Sequence, residues 1–87
     1  MDFGKLIGTM VGGLGAAGLI NRWITIDDDN ELVSVMRLDI RGLPDESVQF
    51  LLRSLDRSIE LCTSVNDNRL LKKNILVREI LSQLAGS

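Results

Sequence analysis

The sequence predicts a mainly α chain: a glycine-rich N-terminal helix, then a small helical domain that ends in a helical hairpin. Three observations predict it. Apolar residues recur at steps of three and four from residue 48 to residue 84, the period of a helix buried on one side. Helix-start and helix-stop residues bracket those runs, as Pro44-Asp45-Glu46 and Asn66-Asp67-Asn68. Six of the eight glycines fall in residues 1–20, spaced among apolar residues rather than grouped as a linker.

The N-terminal segment comes first. Gly4, Gly8, Gly12 and Ala16 repeat every fourth residue, so on a helix they form one strip that lets a second backbone approach closely. Such a helix is poor in water, because each interior glycine costs about 1 kcal/mol against alanine. It is therefore expected to be buried, in lipid or in a protein assembly. Leu6–Ile20 is a charge-free stretch of fifteen residues, about 22 Å as a helix against a hydrocarbon core of about 30 Å. Lys5 and Arg22 could extend it by snorkelling, with Trp23 at the interface. A neutral start and the lack of a convincing cleavage site argue against a secretory signal, and Asp2 excludes N-myristoylation.

The composition shifts near residue 22, which divides the chain into a glycine-zipper segment (1–22) and a helical assembly domain (23–87). Residues 31–41 read two ways. As a helix, Leu32, Val33, Val35, Met36 and Ile40 form one apolar sector, Asp29 or Asn30 caps it, and Gly42 closes it in the left-handed conformation. As a strand, Leu32, Ser34, Met36, Leu38 and Ile40 alternate against Val33, Val35, Arg37, Asp39 and Arg41 and could pair with residues 23–26, giving a β-hairpin at about 22–41 packed on two C-terminal helices. The boundary residues favour the helix.

Pro44 suits a first helical turn, and Asp45 and Glu46 complement the helix dipole. The helix that follows, near 45–63, carries Val48, Leu51, Leu52, Leu55, Ile59 and Cys62 as one stripe. Asn66-Asp67-Asn68 stops it and caps the last helix. There Leu70, Val77, Ile80, Leu81 and Leu84 share a side, while Leu71 and Ile75 point elsewhere. An apolar arc so wide calls for a second contact. Leu51, Leu55, Ile59, Leu71, Ile75, Ile80 and Leu84 are thus the expected docking faces.

The chemical inventory is thin. With no His and one Cys, the chain lacks His-based metal sites, His general bases and an internal disulfide. A net charge of −2 argues against nucleic acid as a partner. Gly13-Leu14-Gly15-Ala16-Ala17-Gly18 matches the dinucleotide fingerprint, and Asp39 lies where its ribose acid belongs. Yet 87 residues with helices after residue 44 leave no room for the parallel sheet that this motif requires. Asp27, Asp29 and Glu31 have calcium-loop spacing, but Leu32 and Leu38 occupy the positions for glycine and the bidentate Glu. Arg69, Lys72 and Lys73 form a small basic face at the start of the last helix, which the Asp27–Glu31 run could pair with.

These features predict a non-enzymatic structural subunit that self-associates or docks into a larger complex, with no cofactor, metal or small-molecule substrate. By analogy of layout alone, virion, secretion and membrane complexes use such subunits. The alternative is a soluble protein-binding module whose N-terminus orders on contact with its partner.

Overall fold

The computed structural model describes residues 15–86, and these form four helices with no strand among them: α1 (Gly15–Ile24), α2 (Asp29–Ile40), α3 (Asp45–Ser64) and α4 (Asn68–Ala85). The chain is mainly α, with α3 and α4 as the closing hairpin. The alternative β-hairpin is not formed: Trp23 belongs to α1, and residues 31–40 to α2.

Local chemistry accounts for each boundary. α1 starts at Gly15, whose φ of +69° a side chain would resist, and ends in a turn held by Thr25 and Ile26 N–H donating to the Arg22 and Trp23 carbonyls. Arg22 in its last turn complements the dipole. α2 is capped by Asp28, whose carboxylate accepts the Glu31 N–H at 3.0 Å, one residue before the expected Asp29 and two before the expected Asn30. Asp28 wins because it can keep extended backbone (φ −77°, ψ 120°), leaving Asp29 and Glu31 free for the first turn.

Gly42 closes α2 as expected. Arg41 (φ −60°, ψ 126°) and Gly42 (φ +83°) are the centre of a type II turn, with Leu43 N–H donating to the Ile40 carbonyl at 3.0 Å. Between α3 and α4, Asn66 takes the left-handed conformation (φ 59°). Its own N–H and that of Asp67 then cap the Thr63 and Cys62 carbonyls at 3.2 and 3.0 Å, a Schellman closure. The next residue starts the following helix, since the Asp67 carboxylate accepts the Leu70 N–H at 3.1 Å. Consecutive residues thus stop one helix and start the next.

α1 lies against each of the other three helices, and α3 and α4 pair most extensively. The core forms where they meet: Trp23, Leu32, Met36, Leu51, Leu55, Val77 and Leu81 are fully buried, with Leu19 nearly so. Each such side chain contributes about 1.5–3 kcal/mol on burial. Trp23 is therefore a core residue with no exposed surface, not an interfacial anchor. Its indole N–H donates to Asp39 Oδ2 at 2.8 Å, joining α1 to α2. Arg22 Nη2 lies 3.7 Å from the other oxygen of that carboxylate. The expected boundary at residue 22 falls inside α1, which is an integral part of this core.

Candidate docking surfaces

The expected zipper lies mostly outside the described residues. Gly4, Gly8 and Gly12 fall in residues 1–14, and only Ala16 is described. Ala16 is buried in the core cluster. Because a right-handed helix does not pass through a residue with φ +69°, Gly15 separates α1 from whatever precedes it.

The expected docking residues divide into two groups. Leu51 and Leu55 are fully buried in the core of the chain itself. Ile59, Leu71, Ile80 and Leu84 are half-buried, and Ile80 and Leu84 pack against the core cluster. Ile75 remains open, at 47% exposure.

Sequence reasoning overlooked a second face of α3. Phe50 and Leu61 lie outside the main stripe of α3; both are exposed, at 41% and 61%, and Val65 just beyond the helix reaches 71%. Phe50 and Leu61 are eleven residues apart, within about 20° on a helix of 100° per residue, and Val65 follows one turn later. Ser54, Arg57 and Ser58 occupy the same side between them, so the open apolar residues are two separate spots, Phe50 toward the start of α3 and Leu61 with Val65 at its end. Arg53 lies over the Phe50 ring at 6.0 Å, and the Arg78–Asp56 pair (2.6 Å) ties α4 to α3 at another position. The hydrogen bond and charge of Asp56 push the Arg78 guanidinium further toward its protonated form.

Phe50 also borders a groove of about 620 Å³ between α1, α3 and α4. Gly15, Ala16 and Ala17 form one wall, Phe50, Ser54 and Ser58 another, with Leu70 and Asn74 from α4. Asn74 has no exposed surface. Its amide nitrogen donates to the Leu70 carbonyl at 2.8 Å and lies 3.8 Å from Cys62 Sγ, while Oδ1 has no hydrogen-bond partner among the described residues. The signal for Asn74 was present in the sequence, as a lone polar residue within the apolar stripe of Leu70, Val77 and Leu81. Cys62 sits in the core as expected.

A second cleft, of about 700 Å³, brings the acidic run and the basic face together: Asp27, Asp29 and Asp67 line it with Arg69, Lys72 and Lys73. Lys73 donates to the Ile26 carbonyl, which holds the α1–α2 loop onto α4. The side chains carrying opposite charge share the cleft without a direct ion pair among the described residues. Asp28 is used as a cap and Asp39 as the Trp23 acceptor. Among the described residues, no group of three or more Cys, Asp or Glu comes together as a metal site, and no helix is long and apolar enough to cross a membrane. Comparison with known protein families, curated proteins and solved structures finds no match for this chain.

Proposed function

We propose that this chain is a non-enzymatic assembly subunit that associates with copies of itself through its glycine-rich N-terminal segment and open apolar helical surface. The observation that carries the reading is the open groove between α1, α3 and α4, bordered by exposed Phe50. Apolar side chains scattered singly over a surface need no explanation, but exposed ones gathered at the rim of a groove mark a contact surface. Phe50 and Leu70, both exposed, border such a groove beside the small residues Gly15, Ala16 and Ala17. The N-terminal segment supports it: residues 1–14 contain only two charges and join the folded unit at Gly15, on the rim of that groove. The engagement of Asp28, Asp39 and Asp67 in caps and core supports structural roles for these acids.

The test is light scattering coupled to size-exclusion chromatography on the full chain over a concentration series. Association that rises with concentration is expected, and Gly8→Leu should weaken it because the new side chain obstructs close helix approach. A monomer at every concentration refutes the reading.

A further inference from the structure

We propose that the groove between α1, α3 and α4 is the seat for residues 1–14 of a second copy of this chain. The inference rests on the assembly reading above and names the surface that receives the segment. Asn74 supplies the most specific observation. A fully buried amide with an unpaired carbonyl oxygen is costly unless a donor arrives. A backbone N–H or the Thr9 hydroxyl of an incoming segment provides that donor once the groove side chains covering Oδ1 part around the segment, and an aliphatic contact alone does not.

The fit of shape and chemistry follows. The wall of the groove is Gly15-Ala16-Ala17, small residues that let a glycine-bearing backbone come close. α1 is ten residues long, about 15 Å, and the charge-free run Leu6–Leu14 is nine residues, about 14 Å as a helix. Exposed Phe50 and Leu70 at the groove offer apolar contact to Leu6, Ile7 and Met10.

A neighbour's segment suits this groove better than the chain's own. Gly15 is itself part of the rim, so a segment folding back in cis uses the residues just before Gly15 to reverse direction. Val11 and Leu14 are then lost to the turn. A segment from a second copy enters with its whole apolar set available. Reciprocal exchange also closes as a two-fold pair, since each chain has one segment and one seat.

The test uses full chains. One carries Thr9→Cys and another Ala17→Cys, an exposed position at the groove, and the two are mixed under mild oxidation. A disulfide-linked heterodimer is expected, well above the yield with Ser34→Cys on the exposed side of α2 as the second chain. In parallel, Ala17→Phe should raise the dissociation constant about tenfold or more by overfilling the groove, while thermal stability at low concentration stays unchanged. Three results overturn the proposal. The first is linkage that occurs only within one chain when both cysteines are on the same molecule. The second is heterodimer yield no higher than with Ser34→Cys. The third is association that Ala17→Phe leaves intact. The last two leave the assembly reading standing, whereas a strictly monomeric chain ends both.

Discussion

Asp39 decides how firmly α1 is fixed to the rest of the chain, and its removal is the sharpest test of the fold. Asp39→Ala strands the Trp23 indole N–H, which has no exposed surface and donates to Asp39 Oδ2 at 2.8 Å. A buried donor left without a partner costs about 1–3 kcal/mol. Loss of the Arg22 contact adds little, because that pair is long (3.7 Å) and Arg22 is half-exposed. The expected loss is therefore about 2 kcal/mol, which in a domain of this size lowers Tm by roughly 8–16 °C. Asp39→Asn keeps an acceptor oxygen and should cost under about 1 kcal/mol. Urea unfolding followed by the single tryptophan is the assay, with an unchanged denaturant slope confirming that the folded state is the same. Trp23→Phe provides the control, measured by circular dichroism: with the donor already gone, Asp39→Ala should cost far less than in the parent. Equal losses for Asp39→Ala and Asp39→Asn, or a full loss in the Trp23→Phe background, would refute the hydrogen bond as the cause.

Three further outcomes separate conformation from contact. Gly42→Ala should lose about 1–2 kcal/mol in the same denaturation assay, because a Cβ there meets no atom within 4 Å and only the φ of +83° opposes it. Leu55→Ala should destabilise the chain by about 2–5 kcal/mol as a cavity in the core. Leu61→Ala should leave stability within about 0.5 kcal/mol yet weaken association, read by thermal unfolding and light scattering respectively.

What the sequence disclosed was local, and what it hid was long-range. α3 and α4 were legible to within a residue or so because Pro44, Asn66 and Asp67 act on their immediate neighbours. The same holds for Gly42, which tipped residues 31–41 to helix against their β-branched content; two closed ends outweighed Val33 and Val35. The cap of α2 lies earlier than expected because Asp27 to Asn30 are four side chains of equal capping ability, and only the backbone path selects among them. Trp23 and Asp39 are sixteen residues apart, so no periodicity connects them. The surface needed the fold most. Phe50 and Leu61 were visible as apolar residues off the stripe, but which side of α3 faces outward depends on where α1 and α4 lie.

The same packing bears on how the glycine segment is used. A membrane span over Leu6–Ile20 would have to draw Ala16, Leu19 and Ile20 out of the core cluster, and with them the start of α1. Gly15 already divides that stretch, leaving Leu6–Leu14 as nine residues, about 14 Å as a helix. That is less than half the hydrocarbon thickness of about 30 Å. The core and a bilayer thus compete for the same side chains, and in this structure the core has them. For residues 1–14 the expectation of burial rests on the sequence: Gly4, Gly8, Gly12 and Gly13 make a poor helix in water, and most residues between them are apolar. Under the proposed exchange the groove between α1, α3 and α4 would meet that expectation. Its walls of Gly15, Ala16 and Ala17 admit a glycine-rich backbone, and the Asn74 carbonyl oxygen gives that backbone a polar group to satisfy.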